Sequence, residues 1–168
     1  AFLTKERLQW FEFGVPIGKI TKGFYRRKDR KDIVFNGDLR TLVRHEIALG
    51  RGYATTEEFD KADFLTKTLV KNSLQGIKML FRRRLDLVVA SKEVDDYRFK
   101  QLESEYPGIR QAIVFIEPSL QVRSLYLAIS KKAPNYQEKL RDLNAGLSHI
   151  MRDGTYKKIQ RKAGIEGR

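Results

Sequence analysis

The chain has 168 residues, 41% hydrophobic and 11% aromatic, enough for the core of one domain or two small lobes and too apolar for a disordered tail. Thirty-four Lys and Arg against 21 Asp and Glu give a formal net charge of +13, and the absence of cysteine excludes disulfide scaffolds and Cys-based zinc or iron–sulfur sites. No apolar run approaches the roughly 18–20 residues of a membrane span, and no charged n-region with an apolar h-region opens the sequence, so no signal peptide is expected within it.

Residues 1–18 are apolar with breakers and end in Gly14-Val15-Pro16-Ile17-Gly18; 20–25 then reads as a short strand before a basic turn. Asp38 stands where it can cap a helical turn leading into a strand at 45–49, closed by Gly50-Arg51-Gly52. Thr55 and Thr56 are N-cap candidates, with Glu57 and Glu58 in a first turn where carboxylates complement the helix dipole. Residues 67–70 are β-rich. Asn72 or Ser73 caps a helix whose Leu74, Ile77, Leu80 and Phe81 share one face. Residues 85–90 are apolar apart from Asp86, the pattern of a buried parallel strand. A helix follows at 94–105, stopped by Pro107-Gly108, and two further strands are expected at 113–116 and 125–129. Pro134-Asn135 opens the most regular helix, with Tyr136, Leu140, Leu143, Leu147 and Ile150 at steps of 4, 3, 4 and 3. Asp153-Gly154-Thr155 breaks it and starts a last short helix through Tyr156 and Ile159. Strands alternating with helices predict an α/β fold with a mainly parallel sheet.

The charge is uneven. Residues 1–37 carry nine basic against four acidic residues and 131–168 carry ten against four, so the two ends hold 11 of the 13 net charges. The densest run is Arg26, Arg27, Lys28, Arg30 and Lys31; a second is Lys157, Lys158, Arg161 and Lys162. Such runs are either phosphate-binding footprints or solvated basic faces. No zinc-finger spacing and no aromatic-studded strand pair accompanies them, so a solvated face is expected and no nucleic-acid partner.

Four stretches in order carry a resemblance. Thr4-Lys5-Glu6-Arg7 with Phe11-Glu12-Phe13-Gly14-Val15-Pro16-Ile17 resembles the "T-x-E-R … F-x-F-S-x-P" segment of family 3 bacterial extracellular solute-binding proteins, the periplasmic receptors of polar amino-acid ABC importers. Asp38-Leu39 and then Gly50-Arg51-Gly52-Tyr53 resembles its "D-L … I-A-V-x-x-G" element, and Leu80 with Arg84-Leu85-Asp86-Leu87-Val88 its "L-x-x-G-R-x-D" element. Leu125 to Lys132, Leu140, Leu147 and Asp153-Gly154-Thr155-Tyr156-Lys157-Lys158-Ile159 resembles the closing "L-x-x-A-x-S-K … D-G-T-Y-x-K-I" element.

The resemblance implies a periplasmic-binding-protein-like type II α/β fold of two lobes joined by crossover strands, with a small polar ligand held in the cleft and hinge closure recognised by an ABC permease of the inner membrane. Residues 1–22 and 131–168 would be the remainder of lobe one, 23–30 and 121–130 the crossovers, and 31–120 lobe two. The family has a further stretch ahead of "T-x-E-R" that supplies the first elements of lobe one, so lobe one is expected to be incomplete here. The helix at 135–152 would then keep an uncovered apolar stripe, to be covered by a partner chain, a domain-swapped dimer or an N-terminal fragment. The closing Ile165-Glu166-Gly167-Arg168 matches a protease site used to remove tags, either as a scar or by chance.

For the ligand carboxylate the resemblance points to Arg7, whose planar fork gives two parallel charge-assisted hydrogen bonds; the other reading is a surface Arg at a helix start. Thr4 either supports that loop or caps the helix. In lobe two, Gly52, Tyr53, Ala54 and Thr55 precede a helix, and free backbone N–H groups there would favour an anionic group; the other reading is an ordinary strand-to-helix turn. The family often has hydroxyl residues where Tyr53 and Ala54 stand. Ser91 occupies the position where the family's amino-acid binders place the Asp that meets the ammonium, which puts an amino-acid ligand in question. Glu93, Asp95 and Asp96 are expected to be solvated, and Asp86 to fix local backbone. Trp10, Phe11 and Phe13 are expected in the core rather than lining a pocket. His45 and His149 lack metal-ligand spacing, so no metal and no cofactor is expected. The leading expectation is a non-catalytic periplasmic receptor; the alternatives are a ligand-sensing domain of a signalling receptor and a dehydratase or lyase on the same fold.

Overall fold

The computed structural model describes residues 1–52 and 55–163; Tyr53, Ala54 and the closing 165–168 lie outside the described residues. The chain divides into two compact units, Thr21–Val122 and Ala1–Ile20 with Arg123–Arg168. Five strands form one sheet in the order β3-β2-β4-β1-β5: β1 Phe11–Arg27, β2 Glu46–Gly50, β3 Thr66–Val70, β4 Leu87–Ser91 and β5 Ile113–Ser130. The chain passes from one unit to the other within β1 and returns within β5.

In Thr21–Val122, β2 runs parallel to β3 and to β4, with Ala48 opposite Thr68 and Val88. β1 is antiparallel to β4, with Phe24 opposite Val89 and Tyr25 opposite Val88. Side chains alternate between the two faces of a strand, so neighbours in β1 and β4 feed two cores. One holds Tyr25, Val88 and Ala90 beneath α2 (Ser73–Phe81), α3 (Lys92–Leu102) and α4 (Ile109–Ala112). The other holds Phe24, Ile47, Leu87 and Val89 with Ile33, Phe35, Leu39, Leu42 and Phe59, the last from α1 (Glu57–Lys61). Caps set the helix starts. Asp38 accepts from the Arg40 N–H at 2.8 Å, Thr56 from Phe59 at 3.2 Å, and Asn72, not Ser73, from Gln75 at 3.0 Å.

Two expected strands are longer than their sequence pattern. β1 starts at Phe11 and continues through Gly14, Pro16 and Gly18. Those breakers are accommodated because side chains from α5 (Tyr136–Arg152) and α6 (Thr155–Ala163) satisfy the backbone: Asn144 Oδ1 accepts the Val15 N–H at 2.8 Å, and the Tyr156 hydroxyl donates to the Ile17 carbonyl. A Cβ at Gly14 would lie 2.6 Å from Asn144 Oδ1, so glycine is what lets α5 approach. The strands expected at 113–116 and 125–129 are one, β5, in which Pro118 follows a cis peptide bond. β5 is an edge strand, where a missing N–H costs no ladder bond. α4 was too short to leave a periodic signal; Glu103 holds its start by accepting from Gly108 N at 2.9 Å.

Every fully buried hydrophobic side chain among the described residues belongs to Thr21–Val122. In the other unit, Leu140, Leu143, Leu147 and Ile150 on the inner stripe of α5 are only half-buried. The aromatic residues near the start were expected in a core and are not: Trp10 is 55% and Phe11 38% exposed, and Phe13 is half-buried against the edge of Tyr126. The reason is that this unit closes no core of its own.

Candidate functional site

Because β2, β3 and β4 are parallel, their C-terminal ends lie along one edge, the place where open α/β sheets present their ligand-binding loops. Three junctions meet there: Arg51 to Thr56 ahead of α1, Lys71-Asn72 ahead of α2, and Ser91 ahead of α3. Gly52 has φ +76°, a left-handed conformation that suits glycine. Of the donors expected to meet an anion here, the Thr55 N–H is already engaged. The Thr55 N–H donates to the Asp60 carboxylate at 3.1 Å and the Phe59 N–H to Thr56 Oγ1, on a helix of five residues with Glu57, Glu58 and Asp60 in its first turn.

A cavity of about 520 Å³ opens beside this turn, lined by Arg51, Leu69, Val70, Lys71 and Gln75. Neither the Arg51 guanidinium nor the Lys71 ammonium has an acidic partner among the described residues, whereas the Lys71 N–H is fixed by Gln75 Oε1 at 2.8 Å. Sequence reasoning missed both cations. The signal was present in their placement directly after β2 and β3, but only strand pairing brings the two ends together.

Ser91 is half-buried at the end of β4; its N–H donates to Asp95 Oδ2 at 3.1 Å, and its hydroxyl makes no hydrogen bond among the described residues. Of the three acids on the first turn of α3 that were expected to be solvated, Asp96 is exposed, whereas Glu93 is half-buried and Asp95 buried. Glu93 accepts from both the N–H and the hydroxyl of Thr21, at 2.8 and 2.7 Å. Asp96 accepts from the Tyr25 hydroxyl at 2.8 Å, and burial together with this carboxylate pushes the Tyr25 phenol far up. Asp95 is 1% exposed and accepts from Ser73 Oγ as well as Ser91; burial raises its carboxyl above the ordinary value, against the pull of Ser73, Arg98 and the Ser91 N–H. The N-terminus of α3 packs against β1 and α2, so Glu93 and Asp95 meet protein donors before they meet water.

The basic run is also not a solvated face. Arg27 is 8% exposed and donates to the carbonyls of Leu85 at 3.2 Å and Leu80 at 3.5 Å, with Asp29 at 3.3 Å. Arg30 is clamped between Asp32 and Asp86, the latter at 2.6 Å. Arg26 donates to the carbonyls of Arg27 and Lys28. Lys28 and Lys31 alone of the run are exposed. Asp86 fixes backbone as expected, accepting the Glu46 N–H at 3.1 Å. His45 lies 3.9 Å from Asp86, and His149 lies 3.7 Å from Asp153.

In the unit of Ala1–Ile20 and Arg123–Arg168, Thr4 Oγ1 accepts from the Arg7 N–H at 3.2 Å and so braces the loop ahead of a single 3-10 turn, Arg7–Gln9, whose N-cap position is Glu6. The Arg7 guanidinium is exposed. Its one hydrogen bond among the described residues runs from Nη1 to the Phe2 carbonyl at 3.1 Å, leaving Nε and Nη2 for a planar acceptor.

No family model and no curated protein matches the sequence. Solved structures do match. A mutant of ArgBP from T. maritima aligns over 99% of this chain and 67% of its own, with TM-score 0.71 and 20% identity. AbpA from Streptococcus pneumoniae, an amino acid ABC transporter substrate-binding protein bound to L-arginine, aligns over 99% and 68%, with TM-score 0.70 and 17% identity. The GluR0 ligand-binding core from Nostoc punctiforme, in complex with L-glutamate, aligns over 99% and 71%, with TM-score 0.68 and 18% identity. The chain has the type II periplasmic-binding-protein-like fold of amino-acid binders and spans about two thirds of the length of the structures it matches. No helix among the described residues is long and apolar enough to cross a membrane.

Proposed function

We propose that this chain acts without catalysis as a periplasmic receptor that captures a small polar, carboxylate-bearing ligand and delivers it to an ABC permease of the inner membrane. The observation that carries the reading is the fold likeness over 99% of the chain to amino-acid-binding proteins, one of them an amino acid ABC transporter substrate-binding protein. In this reading Arg7 takes the ligand carboxylate on the fork left open by Phe2 and Thr4 holds the Arg7 turn; within Thr21–Val122, Gly52, Thr55 and Ser91 are the ligand contacts, with Arg51 and Lys71 adding positive charge. Residues 1–22 and 131–168 serve as lobe one, 31–120 as lobe two, and the hinge lies in the strands joining them. A second chain, a domain-swapped copy or a further fragment covers the half-buried stripe of α5.

Calorimetry against the amino acids and against simple carboxylates tests the reading. Saturable binding of a carboxylate-bearing ligand is expected, with its mass unchanged after prolonged incubation; no binding, or a converted ligand, contradicts it. The Arg7→Lys variant is expected to weaken binding by about 1.5–3 kcal/mol, because an ammonium cannot replace the bidentate fork. The likeness to the GluR0 core supports a second reading, a ligand-sensing domain of a signalling receptor. Transport assays separate the two: a receptor for import stimulates uptake by a permease, and a sensing domain does not.

A further inference from the structure

β3 and β4 lead into α2 and α3, and one buried carboxylate ties the starts of both helices together. Asp95 Oδ2 accepts the Ser91 N–H at 3.1 Å, closing the junction between β4 and α3. Its Oδ1 accepts the Ser73 hydroxyl at 2.9 Å, across to α2. Arg98, one turn further along α3, donates from Nη1 to Ser73 Oγ at 2.9 Å and to Asp95 Oδ1 at 3.4 Å. Ser73 is not spent on capping α2, because Asn72 does that, so its hydroxyl serves as a link between helices. The Ser91 hydroxyl stays uncommitted while its amide is held.

We propose that Asp95 is a pH-responsive pin that locks the Ser91 end of β4 to the N-terminus of α2 and thereby positions the Ser91 hydroxyl; that this hydroxyl then meets ligand rests on the receptor reading above. The groups facing Asp95 are Ser73 from α2, the Ser91 amide from β4, Arg98 from α3 itself, and Tyr25 from β1, whose phenol feels the Asp95 charge while bonding Asp96. Glu93, on the same turn, is held by Thr21. Burial raises the Asp95 carboxyl above its ordinary value. The folded state therefore holds the proton more tightly than the unfolded chain. The linked stability is fully present below the ordinary carboxylate range and is lost as pH rises through the folded value. Wherever it is ionised, the side chain opposes stability and returns geometry. As a carboxylate it accepts from all three donors, whereas the acid carries a hydrogen on one oxygen and gives up an acceptor. A buried ionised group that costs stability is the kind of local inconsistency found at functional sites.

Amide NMR of the ligand-free protein across pH tests the pin, reading Ser91 N–H in wild type and in Asp95→Asn. The Ser91 amide shift is expected to titrate with a midpoint above about 4 in wild type and to be flat in the variant. A flat Ser91 amide in wild type, or an unchanged titration in the variant, overturns the pin. The wild-type titration needs no variant to fold. Melting at neutral pH is expected to leave D95N at least as stable as wild type; a D95N that melts well below wild type makes Asp95 an ordinary structural anchor and overturns the inference. Calorimetry with L-arginine is the separate arm: above the midpoint read from the Ser91 amide, D95N is expected to bind roughly tenfold more weakly than wild type. Equal affinity overturns the positioning of Ser91. A wild type that takes up no L-arginine counts against that ligand in the receptor reading, and the amide titration still decides the pin.

Discussion

Arg27 and Asp86 show how much of a basic run can be structural. Arg27 supplies donors to the carbonyls of Leu80 and Leu85, in the stretch where α2 ends and the chain turns toward β4. Replacing it with methionine keeps the stem but leaves those acceptors without a donor, so R27M is expected to lose about 2–4 kcal/mol in urea unfolding, while Lys28→Ala, on an exposed side chain, is expected to be nearly neutral. Asp86 carries a pH signature of its own. Burial works to raise it, yet the Glu46 N–H and Arg30 hold its carboxyl below the ordinary value, and Asp32, bonded to the same Arg30, is drawn down to about 2. Depressed carboxylates contribute stability that is present above the ordinary carboxylate range and lost as pH falls through the folded value. Below about pH 4 the urea midpoint of wild type is therefore expected to fall, and D86N is expected to show a shallower fall. The residue identities in this run were plain in the sequence. Their pairing was not, because Arg30 and Asp86 are 56 positions apart and meet only when β2, β4 and the β1 turn assemble.

At the scale of elements, caps and periods were legible, and strand lengths were not. Asp38, Thr56 and Asn72 sit where side-chain oxygens can accept the first orphan N–H groups of a turn, a purely local property. The extension of β1 back to Phe11 depends instead on Asn144, 129 residues away, filling the role of a ladder partner for the Val15 N–H. Asn144→Ala is expected to cost about 1 kcal/mol and to speed hydrogen exchange at the Val15 amide, leaving exchange in β2 and β4 unchanged. Phe59, fully buried beside Phe24, anchors the five-residue α1, which has too little hydrogen bonding to stand alone. Phe59→Ala is expected to cost about 3–5 kcal/mol by calorimetric unfolding.

For the molecule as a whole, the contrast between the two units governs behaviour. Thr21–Val122 holds two cores on the two faces of its sheet, whereas the other unit carries fourteen Lys and Arg against six Asp and Glu and buries no hydrophobic side chain fully among its described residues. Slow amide exchange is therefore expected to concentrate in Thr21–Val122, with α5 and α6 exchanging by local opening. A partner that covers the α5 stripe is expected to slow α5 exchange; native mass spectrometry at rising protein concentration tells a self-dimer from a separate fragment. A monomer whose α5 is already well protected contradicts the expected cover.

Sequence by itself determined the alternation of helices and strands, the caps and the buried run that becomes β4, because each of these rests on local periodicity; the type of fold came from the resemblance of four ordered motifs to a known family. Tertiary structure decided which charges are spent and which remain. Arg27, Arg30, Glu93, Asp95 and Asp96 look available along the chain and are each taken by partners that packing brings in. Arg51, Lys71 and the Ser91 hydroxyl are left at the ends of the parallel strands. A side chain's partner is fixed by the folding of distant segments onto it, and that information is not carried by spacing in the sequence.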